Sequence, residues 1–239
     1  MKTNFSIHVA EGLQASPKHL SSKYIYDAKG DTLFQKIMAM PSYYLTDCEL
    51  EILSQQTKDI GSYFSVLGDF DLIELGAGDG KKTKKLLKFL LEENYRFTYK
   101  PIDISQHAIQ HLTEDLASEF PNLKVAPEIG EYFEVLKTLH TLSSKQKVIL
   151  FLGSNIGNLP HHKAIEFLTQ LGNSLHKNDM LFMGFDQKKH PQKILDAYND
   201  PEGLTAAFNK NILKCTFYVF RMLFSVERRQ LMSKTLLLS

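Results

Sequence analysis

The sequence predicts an α/β fold, a parallel sheet covered by helices on both faces, and three observations predict it. From about residue 71 to residue 186, short apolar runs alternate with helix-length segments, as βαβ units require. Phe70 to Leu91, FDLIELGAGDGKKTKKLLKFLL, places an apolar run, a glycine turn and a Lys/Leu-rich helix end to end. Lys147 to Leu152, KVILFL, is the apolar run of a central strand buried on both faces.

The elements follow in order. Residues 1 to 60 read as helices and loops, with turns at Asp27 to Asp31 and around Pro41. Thr46 to Thr57 is expected to be helical, with Leu50 and Leu53 on one face. Strands are then expected near 71–75, 97–104, 123–126, 147–152 and 180–186, separated by helices over 80–93, 105–119, 131–140 and 161–175. The 239 residues suit one large domain or one and a half.

Composition narrows the class. The net charge is +1, from 28 basic and 27 acidic residues, so no bulk electrostatic pull toward nucleic acid exists. The opening MKTNFSIHVAEGL lacks the apolar region of a signal peptide. No run approaches the roughly 20 apolar residues of a membrane helix, so a cytoplasmic, soluble protein is expected. Cys48 and Cys215 fall in no metal or redox spacing. His107 and His111 stand four apart on an expected helix, a spacing that can bind a metal, but no further ligand accompanies them. They read as surface histidines, as do His161 and His162 at the start of the next helix, and no metal is expected.

The strand–glycine turn–helix unit is the opening of a Rossmann-like fold. Gly76 and Gly78 let the backbone turn sharply and approach a ligand, and the helix start favours an anionic group. A dinucleotide fingerprint from Gly76 requires a third glycine at position 81, where Lys81 stands. A P-loop ending at Gly80-Lys81 requires glycine at Leu75 and a hydroxyl at Lys82. S-adenosylmethionine remains as the common ligand of an E-L-G-x-G turn after a first strand; a turn without a ligand is the plain alternative. Asp103 ends FTYKPIDI, where an acid can accept from both ribose hydroxyls or cap the helix that begins near Ser105. The loop Gly153 to Pro160 leaves the carboxyl end of a strand, and Asn158 there can orient an amine or belong to a capping loop. Tyr43 and Tyr44 read by default as packing residues, though they can line a pocket, and most of the lysine cluster Lys81, Lys82, Lys84, Lys85 and Lys88 as a solvated helix face.

The blocks PKHLSSKYIYDAKGDTLFQKI, MPSYYLTDCELEIL, LIELGAGDGKKT, PIDIS, FLGSNIGNL and AYNDPEGLTAAFNKNIL are long and unusual. Over about residues 15 to 213 they resemble the histidine-specific, S-adenosylmethionine-dependent methyltransferases, which form hercynine in ergothioneine biosynthesis. The resemblance implies a Rossmann-like class I methyltransferase sheet with an additional substrate-binding lobe. Residues 1–57 would begin that lobe, 58–190 form the methyltransferase core, 191–214 start the lobe's second part, and 215–239 stand as an atypical tail. Gly76, Gly78, Lys82, Asp103 and Gly153 would meet the cofactor. Glu131 and Tyr132, in the triplet Gly130-Glu131-Tyr132, would take the place of the family's Gly-Asp-Phe at the adenine. Tyr43, Asn158 and Tyr198 would hold the amino and carboxylate groups of L-histidine. Tyr26 joins Tyr43 and Asn158 as an expected catalytic-pocket residue. The partner implied is a small amino acid, and the family's usual state is monomeric.

After Leu213 the resemblance by motif stops, and the family's acidic residue and serine for the imidazole ring have no counterpart in KCTFYVFRMLFSVERRQLMSKTLLLS. The expectation is a truncated relative with an incomplete substrate lobe. The apolar FYVFRMLF is read as an altered ending that exposes apolar surface, or as a strand for the sheet edge. Three functions therefore stand side by side: N-methylation of histidine's α-amino group, or of another amino acid's; cofactor binding without turnover; and, against Lys81, nicotinamide-dependent redox chemistry.

Overall fold

The computed structural model describes residues 4–131, 134–135, 138 and 145–213. A five-stranded parallel sheet lies at its centre, built from β1 (Asp69–Leu75), β2 (Arg96–Asp103), β3 (Glu128–Ile129), β4 (Gln146–Phe151) and β5 (Met180–Met183). The strand order is β3-β2-β1-β4-β5, and every pairing is parallel. The order reverses between β1 and β4, so the crevice at their carboxyl ends is the place where such sheets bind ligands.

Period-two alternation sorts the central strands between two cores. Leu72 of β1 and Val148 and Leu150 of β4 join one cluster with Leu86, Leu87 and Leu90 of α5 (Thr83–Glu92). Leu112 and Leu116 of α6 (Gln106–Glu119) belong to the same cluster. Ile73, Leu75, Ile149 and Phe151 face the other way, onto Phe167 and Leu171 of α7 (His161–Ser174). Lys147, second in β4, is fully buried, and its amine pairs with Asp179 at 3.4 Å.

A third cluster lies apart from the sheet. It joins α2 (Ala28–Met38) and α3 (Tyr44–Gln55) to α8 (Pro191–Tyr198) and α9 (204–213) through Ile37, Tyr43, Leu45, Ala197, Phe208 and Ile212. Asn211 on α9 donates to Asp27 Oδ1 at 2.7 Å and to the Ile25 carbonyl at 3.2 Å, which ties the two segments together. Two further α-helices among the described residues are α1 (Asn4–Gln14) and α4 (Thr57–Phe64).

Several local expectations change. Asp27 to Asp31 is the start of α2 rather than a free turn, because the Asp27 carboxylate caps it by accepting from Gly30 N at 2.7 Å. The helix expected from residue 80 starts at Thr83, since Gly80 has φ +64° and belongs to the turn. The strand expected over 123–126 contributes one bridge, Val125 to Tyr99, and the paired residues come later at Glu128–Ile129. β5 ends at Met183 rather than 186. The helix expected over 131–140 falls mostly, and the tail 215–239 wholly, outside the described residues. No helix among the described residues is long and apolar enough to cross a membrane.

Candidate functional site

The turn after β1 is built from glycines in the left-handed region: φ is +76° at Gly76, +55° at Gly78 and +64° at Gly80. The amides of Gly76 and Ala77 both donate to the Ile102 carbonyl, at 2.8 and 3.2 Å, which moors the turn to β2. A Cβ added at Gly78 would meet no atom within 4 Å, whereas one at Gly80 would stand 2.5 Å from Leu112 Cδ1. The two glycines thus serve different needs: Gly80 allows α6 to pack closely, and Gly78 borders open space.

Beneath the turn lies a buried polar group. Glu74 Oε1 accepts from Thr83 Oγ1 at 2.6 Å, and Oε2 accepts from the Tyr99 hydroxyl. Burial raises the Glu74 carboxyl from 4.5 to about 7, against the lowering effect of those two hydroxyls and of Lys82. This linkage fixes the end of β1 to β2 and to the start of α5.

Asp103 ends β2 with its carboxylate spread over two amides. Oδ2 accepts from Gly78 N at 3.0 Å and Oδ1 from Ser105 N at 2.9 Å. Burial raises its carboxyl, opposed by these amide hydrogen bonds. The cap of α6 is Ser105 rather than Asp103: its hydroxyl oxygen accepts from Ala108 N at 3.1 Å while donating to Asp31 Oδ2 at 2.5 Å. That last bond brings α2 against the tip of β2. His107 lies 3.5 Å from Asp31 Oδ2 and packs against His111, with ring centroids 4.4 Å apart. No group of three or more His, Cys, Asp or Glu among the described residues is placed to hold a metal ion.

On the far side of Asp103, Gly130 N donates to the Asp103 carbonyl at 3.0 Å. Glu131 follows, exposed, and its Oε1 pairs with Lys23 Nζ at 2.9 Å. Tyr132 lies outside the described residues. At the end of β4, Gly153 has φ +74°, and its amide donates to both oxygens of Glu49, at 2.8 and 2.9 Å. Glu49 also forms an ion pair with Lys82, which is therefore no member of the solvated lysine face. Asn158 closes a short 3-10 turn (Asn155–Asn158); it is exposed, with its amide 3.5 Å from Asn155 Oδ1.

The third cluster presents an aromatic group to this end of the sheet. Tyr43 meets Tyr198 edge to face at 5.7 Å, and Tyr26 meets Phe34 at 5.9 Å and Phe208 at 5.5 Å. Burial pushes the Tyr26 hydroxyl up to about 12, with the charges of Asp103 and Asp31 adding to it. Tyr43 is raised as well, chiefly by burial and then by the neighbouring Tyr198 hydroxyl, with the Glu49 charge adding to it. Tyr44 turns away: its hydroxyl donates to Asp186 at 2.5 Å, and Lys189 Nζ lies 3.9 Å from its ring centroid.

The arrangement brings Gly76, Gly78, Lys82, Asp103 and Gly153 to one edge of the sheet, with Tyr26, Tyr43 and Tyr198 on the lobe beside it. It adds Glu49, Asp31 and Ser105, which the motifs did not single out. A signal for Glu49 exists in the sequence: Leu45, Glu49 and Leu53 fall at i, i+4 and i+8, so the carboxylate shares a helix face with two buried leucines. Chemically, the edge offers an acid for vicinal hydroxyls, a paired cation and anion, and a left-handed glycine turn bordering open space. Those features fit a nucleoside joined to a charged amino-acid tail.

Comparison with known proteins gives a consistent result. The profile of the family described as histidine-specific, SAM-dependent methyltransferases matches residues 5–232, a span that continues past Leu213. The histidine N-alpha-methyltransferase of Mycolicibacterium smegmatis is 34% identical over 205 residues, covering 86% of this chain and 62% of its own. Ergothioneine biosynthesis protein 1 of Neurospora crassa is 31% identical over 201 residues, covering 83% of this chain and 22% of its own. The chain thus spans less than two thirds of the length of either relative. The crystal structure of a magnesium protoporphyrin IX methyltransferase from Synechocystis PCC 6803 with bound SAH superposes with a TM-score of 0.51. At 13% identity, over 80% of this chain and 85% of that one, it is a likeness of fold alone.

Proposed function

Because this chain belongs to the histidine-specific, SAM-dependent methyltransferase family, we propose that it transfers a methyl group from S-adenosylmethionine to the α-amino group of L-histidine. The observation that carries the reading is the Asp103 carboxylate held beside Gly78 at 3.0 Å, at the edge where β1 and β2 end. When bound there, the cofactor supplies a methyl group on a sulfonium sulfur, an electrophile already activated by its positive charge.

The residues divide the remaining work. Asp103 would accept from the two ribose hydroxyls, using the lone pairs its amide contacts leave free. Glu131 would accept from the adenine amine through the oxygen not paired with Lys23. Gly76 and Gly153 would border the amino-acid tail, with Lys82 as its cation. Tyr26, Tyr43, Asn158 and Tyr198 would orient the substrate so that its amine nitrogen stands about 3 Å from the methyl carbon, in line with the bond to sulfur. The substrate's nitrogen lone pair would take the methyl group as the C–S electron pair leaves with sulfur, so nitrogen would gain the positive charge these side chains face. The amine must arrive unprotonated; an α-amino group titrates near 8 in peptides, so loss of its proton to water suffices without a dedicated base. Tyr26 and Tyr43 remain neutral hydroxyls, and the tyrosine rings favour the growing alkylammonium. In this reading residues 1–57 and 191–214 form the substrate lobe on the 58–190 core.

Calorimetric titration with S-adenosylmethionine, then with histidine, tests the proposal, with mass spectrometry of the mixture as readout. Binding of both and appearance of methylated histidine are expected. Cofactor binding with neither histidine binding nor transfer would reduce the chain to a cofactor binder, and transfer to a different amino acid would move the substrate assignment.

A further inference from the structure

Three strand ends converge on one carboxylate that no motif assigned. Glu49 reaches from α3, in the lobe, to the carboxyl edge of the sheet. Lys82, which follows the turn after β1, pairs with it there; Gly153, after β4, donates its amide to both oxygens. Gly184, after β5, lies so close that an added Cβ would stand 2.1 Å from Glu49 Oε1. Only 15% of the Glu49 side chain and 17% of the Lys82 side chain remain exposed.

A pair this sheltered is a poor source of stability, because desolvating two charges offsets much of their attraction. Its chemistry is better suited to a ligand. Lys82 alone would place an uncompensated positive charge at the edge, and Glu49 cancels it. Resting on the cofactor reading above, we infer that Glu49 is a positioning residue for the cationic end of the cofactor, the counter-charge that lets a sulfonium-bearing amino acid settle beside Lys82. S-adenosylmethionine carries a sulfonium, an ammonium and a carboxylate, net +1, whereas its demethylated product is a neutral zwitterion. Glu49 therefore favours the methyl donor over the product.

That difference separates a charge role from a structural one. Glu49→Gln keeps the length of the side chain and an acceptor for the Gly153 amide, and removes only the charge. The dissociation constants of S-adenosylmethionine and of its demethylated product are measured by calorimetry for both proteins. The expected result is a loss of about tenfold or more for the sulfonium compound and less than about threefold for the product, since a unit charge a few ångströms away interacts strongly in a sheltered site. Equal losses for both ligands, or no loss for either, overturn the inference while leaving the proposed function standing. Gly184→Ala provides a second reading should the Gln variant fail to fold. Its methyl displaces the end of the Glu49 side chain, and the same selective shift is expected; an unchanged ratio overturns the inference. A wild-type chain that binds neither compound sinks the proposed function, and this inference with it.

Discussion

Asp103 Oδ2 accepts a hydrogen bond from Gly78 N at 3.0 Å, across the 25 residues that separate the tip of β2 from the turn after β1. The carboxylate is thereby committed to shaping the turn before any ligand arrives. Its other oxygen does the same for the start of α6, through Ser105 N. One side chain thus fixes both walls of the place where a ribose would lie.

Asp103→Ala is expected to weaken S-adenosylmethionine binding by roughly 2 kcal/mol, about thirtyfold, since charge-assisted hydrogen bonds contribute about 1.5–3 kcal/mol. Asp103→Asn keeps one acceptor and should lose less. Calorimetric dissociation constants for the three proteins check the order; equal affinity in all three would remove Asp103 from the site.

Gly78 and Gly80 separate binding from stability. Alanine at Gly80 incurs a left-handed backbone and a contact of 2.5 Å with buried Leu112, together about 2–4 kcal/mol of destabilisation. Alanine at Gly78 incurs the backbone strain alone, about 1 kcal/mol, but its methyl projects into the open space over the turn. Urea unfolding should therefore rank Gly80→Ala as the less stable variant. Cofactor titration should show Gly78→Ala impaired while it remains folded.

Glu74 makes stability depend on pH. Its carboxyl is raised from 4.5 to about 7 in the folded chain, chiefly by burial. Below pH 4.5 it is protonated in both states, and between 4.5 and about 7 only the folded chain keeps the proton. The folded state binds the extra proton, so its contribution is present at low pH and lost as pH rises through about 7. The loss is on the order of 3 kcal/mol over that window. Glu74→Gln, which cannot ionise, should be flat where the wild type declines. Denaturant midpoints of the two proteins at pH 5 and pH 8 check this, and a constant difference between them would contradict it.

Much of this architecture can be read from periodicity. β1 and β4 hold short apolar runs, and α5 and α7 repeat leucine or phenylalanine at helical spacing, so their packing follows from their own residues. β3 is harder: two paired residues, Glu128 and Ile129, carry no alternation, and their register comes from β2. Asp103 and Gly153 announce themselves by standing at strand ends. Glu49 shows itself only as a carboxylate on a buried helix face, and its role stays hidden because the carboxyl edge it reaches belongs to strands that begin 20 or more residues later. Ser105 and Asp31 are likewise joined across 74 residues, a distance at which local pattern holds no information. Glu131 fits the adenine position by motif, yet its pairing with Lys23 depends on a segment 108 residues away.

The lobe tyrosines make the last prediction, which concerns the rate of transfer. Tyr26 is raised to about 12, and Tyr43 lies above its ordinary value of 10.0, both chiefly through burial. Both hydroxyls therefore stay protonated while the substrate amine loses its proton. The rate at saturating cofactor and limiting histidine should therefore rise with the fraction of unprotonated amine and show no fall up to pH 10. A fall with a midpoint between 9 and 10 would mean that a tyrosine titrates in the site, contrary to the burial of Tyr43. Tyr43→Phe removes the hydroxyl proposed to hold the substrate and keeps the ring, so KM for histidine should rise about tenfold, the worth of one hydrogen bond. The dissociation constant of the cofactor should not move, because Tyr43 packs in the lobe cluster with Phe34 and Tyr198 rather than against the glycine turn. A Tyr43→Phe variant that weakens the cofactor as much as histidine would place this ring on the wrong ligand.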